Sequence, residues 1–232
     1  MLRIRLCALL GLAAAALGSG VAWAAHSAKI NTSRTFAGYE LTDSKGIKAA
    51  TVTFVVPTIT CKKNYSGVGP SVVIASTVHH GTYSDSGGGV AVVCQNRQPN
   101  YVALPIVDGV NYNDGNVPIA PGDKVTLTVK YGGKTVVTLV DDTTHQVDQH
   151  TGKGSLGEAA YFGDNGVEIN HQGVGIDPFT STSFSAAELN GQPIGKQSAQ
   201  RYEWVDNHHV VLVTASALSH KEDFTTTFHH SS

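Results

Sequence analysis

Charge is scarce in this sequence. Asp, Glu, Lys and Arg make up 15% of its 232 residues, sixteen basic against eighteen acidic, for a formal net charge of −2. A nucleic-acid footprint needs a concentrated basic face, so no nucleic-acid partner is expected. Helical periodicity is missing as well: after residue 25 no window of a dozen residues carries apolar side chains at three- and four-residue spacing. Catalytic and ligand motifs are equally sparse. There is no Gly-x-Ser-x-Gly, no His-Glu-x-x-His and no His-x-His, and Gly87-Gly88-Gly89 lacks the Lys-Ser or Lys-Thr of a phosphate loop. Serine-hydrolase and nucleotide-binding classes are therefore unsupported, and no cofactor is expected.

The one long apolar run, residues 6–17, follows Arg3 and Arg5 and leads through Gly18-Ser19-Gly20 to Ala22-Trp23-Ala24, a small-x-small cleavage pattern. Residues 1–24 read as a signal peptide rather than an uncleaved anchor, residues 25–35 as a short leader, and residues 36–232 as a single domain. Cleavage leaves 208 of the 232 residues and, with Arg3 and Arg5 gone, moves the charge from −2 to −4. The expected product is a secreted monomer with no membrane attachment. Cys7 departs with the leader, so Cys61 and Cys94 remain for an oxidising compartment, and a disulfide is the expected outcome in preference to thiol chemistry.

What the chain does contain is alternation. In residues 124–131, Val125, Leu127, Val129 and Tyr131 alternate with Lys and Thr, the pattern of a half-buried strand. Gly132-Gly133 follows and residues 134–140 alternate again, which predicts a hairpin with a two-residue turn needing positive φ at both glycines. Further strands are predicted over 50–56, 72–75, 90–93, 101–107, 159–162, 167–170, 182–185, 210–215 and 224–228. About ten strands in this length imply an antiparallel sandwich or barrel. Loops are expected at the polar, Gly-rich stretches 85–89, 108–116, 151–157, 163–166 and 190–195.

The eleven histidines include the adjacent pairs His79-His80, His208-His209 and His229-His230, and neighbours on a strand face opposite sides, so no metal site is expected from them. Residues 108–116 are rich in oxygen ligands but fit no EF-hand register. Asn31-Thr32-Ser33 and Asn64-Tyr65-Ser66 are glycosylation acceptors where the host supplies that chemistry. Asp141-Asp142 read as a solvated turn. Glu158 stands among small and apolar neighbours in Gly157-Glu158-Ala159-Ala160, where desolvation would raise its pKa as a general acid or base requires.

Taken in order, several segments resemble the glutamic peptidases of the eqolisin type, family G1, once grouped with the A4 acid proteases, in their secreted bacterial branch. Phe36-Ala37-Gly38-Tyr39 is similar to the family's Trp-Ala-Gly-Tyr, the stretch from Ala50 to Pro57 to its Val-x-Pro strand, and Ala120-Pro121-Gly122-Asp123 to its Pro-Gly-Asp lead into the central hairpin. The pair Cys61 and Cys94 falls where bacterial relatives carry cysteines. Closing segments 179–184, 189–191, 217–218 and 224–228 complete a resemblance that runs from Phe36 to Phe228. It implies a β-sandwich akin to the concanavalin A-like jelly rolls, acting on polypeptide substrate. In the family a Glu in Ala-Glu-Trp-Ile activates water and protonates the leaving amine, while a Gln in Glu-Gln-Thr-Gly positions that water and stabilises the oxyanion.

By this resemblance Glu158 takes the catalytic Glu position and Gly87 stands where the Gln is expected. The family's Trp-Val-Gly-Ile strand becomes Ser71-Val72-Val73-Ile74, and its Tyr-x-x-Trp-Tyr-Glu strand becomes the stretch from Tyr101 to Ile106, leaving Trp204 as the sole tryptophan of the mature chain. Two readings stand side by side. One is an acid endopeptidase, weakened, with Glu158 as base and acid. The other is a pseudoenzyme, a secreted sandwich that binds a glycan, peptide or protein partner. A glycan hydrolase would instead need a second acid, with Glu168 or Asp164 as candidates.

Overall fold

A computed structural model describes residues 30–62, 66–78, 82–113, 115–166 and 176–230. Among these residues sixteen strands are formed: β1 (Asn31–Ser33), β2 (Phe36–Ile47), β3 (Ala49–Val55), β4 (Gly67–Val78), β5 (Thr82–Gln95), β6 (Gln98–Val107), β7 (Val110–Asn111), β8 (Lys124–Tyr131), β9 (Thr135–Asp141), β10 (Gln146–Gly152), β11 (Gly157–Gly166), β12 (Thr182–Leu189), β13 (Gln192–Pro193), β14 (Gln200–Val205), β15 (Val211–Ala215) and β16 (Phe224–Phe228). One 3₁₀ turn, Ile194–Lys196, is the only helical element among the described residues.

The chain is all-β and forms an antiparallel sandwich. Hydrogen bonds run in the order β10-β9-β8-β3-β12-β16-β15 through one layer and β14-β2-β11-β4-β5-β6-β7 through the other. The layers join at β14 and β15, where the register shifts between Trp204 and Val205. The sheet folds over at that seam. β12 then lies across β11, β3 and β8 across β4, and β9 across β5 and β6.

Alternation drives this packing. Val125, Leu127 and Val129 of β8 and Val137 and Leu139 of β9 turn inward to meet Val52 and Phe54 of β3, all fully buried, whereas Tyr131 is only half-buried. Phe184 stacks on Phe224 at 4.5 Å and 7°, and Tyr39 meets Phe224 edge-on at 5.0 Å, tying the two layers together near the seam. Trp204 is buried in the same region, so it serves the core.

The hairpin of β8 and β9 forms as the alternation predicts, but its turn differs. Tyr131 pairs with Thr135, leaving a three-residue loop in which Gly133 alone has positive φ. Stretches 85–89 and 163–166, expected as loops because glycine is a poor strand former, lie within β5 and β11. Asn31–Ser33, assigned to the leader, pairs in parallel with β14, so the sandwich begins before residue 36. Asp141 is not solvated: it is fully buried at the end of β9 and accepts from Thr143 N, Thr144 N and Thr144 Oγ1, while Asp142 diverges to accept from Thr126 Oγ1. The cleavage segment 1–24, the predicted strand 167–170, Glu168, His79-His80 and Asn64 lie outside the described residues.

Cys61 and Cys94 are bridged, with Cα atoms 5.6 Å apart. The bridge clamps the segment leaving β3 to the end of β5, where Cys94 is fully buried and its N–H donates to Ser66 O at 2.8 Å. Closing that loop of 33 residues stabilises the fold by about 3 to 4 kcal/mol on the chain-entropy account.

Candidate functional site

The layer of β14, β2, β11, β4, β5, β6 and β7 turns one face to the core and the other outward. Period two decides which residues go where. On β11, Ala160, Phe162 and Asp164 are buried inward, and Ala159, Tyr161 and Asn165 are only partly covered. Cross-strand pairing extends the outward set into rows. One row reads Gln200, Glu40, Tyr161, Val73, Gly87 and Ile106. The next outward row reads Tyr202, Gly38, Gly163, Ser71, Gly89 and Leu104.

The second row is nearly bare of side chains, so it forms the floor of a furrow. Two depressions meet there, sharing Val73 and Asn165. One, of about 270 Å³, lies over Ser71, Gly89, Leu104 and Ile106. The other, of about 290 Å³, is walled by Phe36, Tyr161 and Tyr202 and contains the carboxyls of Glu40 and Asp85. Asn165 Nδ2 donates to Ser71 Oγ at 2.6 Å, and Ser71 Oγ donates to Gly163 O at 3.3 Å, fixing the polar floor.

The aromatic wall is self-supporting. Phe36 meets Tyr161 edge-on at 5.8 Å and Tyr202 at 6.0 Å. Tyr161 Oη donates to Glu40 Oε1 at 3.5 Å. The hydrogen bond from Tyr202 to Glu40, followed by burial and the Glu40 charge, pushes the Tyr202 pKa up to about 12. Burial alone raises the Asp85 carboxyl above the ordinary aspartate range. Glu40, Asp85, Tyr161, Tyr202 and Phe36 carried no sequence signal as a group, because they sit on four different strands.

Glu158 lies elsewhere. It stands at the irregularity between Gly157 and Ala159, exposed, beside Lys45, Gly46 and Leu156 in a separate open cleft. It lies on the solvent side, without the desolvation a general acid or base requires. The irregularity breaks the alternation there: Gly157 turns toward Ile74 and Ile47 of the core, and Glu158 beside it is left exposed. In the cross-strand pairing Tyr161, and not Glu158, shares the row of Gly87. Asp164, the other acid considered, faces the core between the layers. Among the described residues no three His, Cys, Asp or Glu side chains converge as metal ligands, and no helix is long and apolar enough to cross a membrane.

Gly87 is held as glycine by the backbone. Its φ is +143°, and a Cβ built there would stand 2.1 Å from Val72 O, a main-chain atom of the neighbouring strand. No side chain fits without moving β4 or β5.

The chain is thus an antiparallel β-sandwich with a furrow across the outer face of one layer. The family model of the peptidase A4 family matches residues 34–228, and the chain belongs to that family. Similar solved structures include scytalido-glutamic peptidase with a transition-state analogue inhibitor, at 17% identity and TM-score 0.70, covering 85% of this chain and 100% of that one. SCP-B, an eqolisin in complex with the tripeptide Ala-Ile-His, follows at 15% identity and TM-score 0.64 with the same coverage. Aspergilloglutamic peptidase from Aspergillus niger is similar at 19% identity and TM-score 0.52, covering 78% of this chain and 99% of that one. No curated protein matches the sequence.

Proposed function

We propose that this member of the peptidase A4 family binds an extended polypeptide in the furrow without the family's Glu and Gln chemistry. The observation that carries the reading is the pairing of Tyr161 and Gly87 across Val73, which puts neither a carboxyl nor an amide at those two positions; the one amide in the row, Gln200 beside Glu40, is exposed at the far end and accepts from Asn31 Nδ2 at 3.0 Å. Matched by face rather than by residue count, Ala160-Tyr161-Phe162-Gly163 takes the place of the family's Ala-Glu-Trp-Ile, keeping the leading alanine and an inward aromatic. Tyr161 then stands where the Glu is expected and Gly87 where the Gln is expected. Tyr161 brings no carboxylate to act as base, and its hydroxyl is already engaged with Glu40, while Gly87 brings no amide to position a water.

Support for a polypeptide ligand comes from the fold and from SCP-B, whose structure holds a tripeptide. A furrow floored by glycines and Ser71 lets an extended chain approach the sheet closely. The disulfide and the cleavage pattern of residues 1–24 favour a secreted protein, and we take it to act as a monomer.

The test incubates purified mature chain, and its Glu158→Gln variant, with acid-unfolded protein across roughly pH 2 to 7, while binding of the same polypeptide is followed separately. Saturable binding with no cleavage in either form is the expected result. Cleavage that disappears in Glu158→Gln would overturn the reading and restore the acid endopeptidase.

A further inference from the structure

The depression walled by Phe36, Tyr161 and Tyr202 combines three aromatic rings with two carboxyls, and no basic residue lines it. We propose that this depression is a specificity pocket for a cationic side chain, the ammonium of Lys or the guanidinium of Arg, carried by the bound polypeptide. The inference rests on the polypeptide-binding reading and names the class of residue that the furrow selects.

Charge and geometry point the same way. Glu40 is held in place by hydroxyls of Tyr161 and Tyr202, so its carboxylate is oriented before any ligand arrives. Asp85 enters the same depression from β5, three strands away from Glu40 on β2, and the two carboxyls therefore approach a guest from opposite sides. Among the described residues no salt bridge is formed by either acid. Burial disfavours ionised Asp85 while the pocket is empty, and a cation placed beside it would reverse that balance. The partly exposed rings of Tyr161 and Tyr202, backed by buried Phe36, offer cation–π contact to the same charge. Ala75 and Val73 at the base leave an apolar lining for the methylene stem of a long basic side chain. An acidic or purely apolar guest would find no donor for two carboxylates.

The experiment titrates the full mature chain with two blocked pentapeptides, one with Lys and one with norleucine at the central position of an alanine background. A second arm uses n-butylguanidinium against n-pentanol, read by tyrosine fluorescence and by NMR shifts. The Lys peptide is expected to bind about tenfold more tightly at low salt, with the preference lost in Asp85→Asn and in Glu40→Gln, both near-isosteric changes. Equal binding of the two peptides, unaffected by either variant, would overturn the pocket while leaving polypeptide binding standing. Butylguanidinium binding that depends on Asp85, with neither peptide bound, would support the pocket and overturn the polypeptide reading. No response to any of the four probes would overturn the inference outright.

Discussion

Tyr161 and Gly87 face each other across Val73, the phenol rising from β11 on one side and the bare glycine lying in β5 on the other. Their juxtaposition leaves this stretch of the furrow with a phenol on one side of Val73 and no side chain on the other.

Restoring the amide should therefore fail for a physical reason. Gly87→Gln must place a Cβ 2.1 Å from Val72 O at a φ of +143°, so the strands have to separate before the amide can reach the furrow. We expect a loss of about 2 to 3 kcal/mol in folding stability, and a similar loss for Gly87→Ala, because backbone and not side-chain length sets the cost. Urea denaturation midpoints of the two variants check this, and wild-type stability in either would contradict the strand geometry.

The fold was more legible in the sequence than the site. β8 and β16 coincide with their predicted limits, since complete alternation marks a strand whose inward residues meet a core. Among the described residues sixteen strands form where about ten were expected, and the omissions have causes. β10 is a polar edge strand, Gln146–Gly152, with little apolar content to betray it. β5 and β11 carry glycines that read as loops from propensity alone, yet those glycines let strands approach beneath the furrow. The site escaped because its residues meet only through pairing: Glu40 and Tyr161 are neighbours across strands though 121 positions apart. Glu158 drew attention by its flanking residues, which describe the chain and not the face.

Glu158→Gln should be nearly silent in stability. The side chain is exposed at a strand irregularity, so a change below about 0.5 kcal/mol is expected. Affinity for the Lys pentapeptide should also stay within twofold, since Glu158 lines a different cleft from the proposed pocket. Isothermal titration of the variant checks the second point, and a tenfold loss would link the two clefts.

Removing the disulfide should be costly. Cys61→Ser with Cys94→Ser frees a loop of 33 residues and leaves a buried hydroxyl at position 94, for an expected loss of about 3 to 4 kcal/mol. Chemical denaturation with and without reductant measures it. Identical midpoints for reduced and oxidised wild-type protein would show that the bridge contributes nothing.

Two buried aspartates should tilt stability against pH in opposite directions. Asp164 lies between the layers, accepting from Thr182 Oγ1 at 3.4 Å and from Thr226 Oγ1, and burial outweighs these bonds to raise its pKa from 3.8 to about 7. Its contribution is fully present below pH 3.8 and is lost as pH rises through 7, because the unfolded chain releases that proton earlier. At neutral pH the cost of the buried carboxyl reaches at most about 4 kcal/mol. Asp141 behaves the other way. Burial pulls its pKa up, but donation from Thr144 and Thr143 prevails and lowers it, so its contribution is present above pH 3.8 and fades as pH falls through the depressed value. Asp164→Asn is therefore expected to raise the urea midpoint at pH 7.5, leave it little changed at pH 4, and flatten the profile between. Asp141→Asn should lower the midpoint at pH 7.5 and matter less in strong acid. If Asp164→Asn left the pH 4 to 7 slope unchanged, the carboxyl would have to be ionised inside the sandwich at neutral pH without penalty, which its setting between Thr182 and Thr226 does not allow.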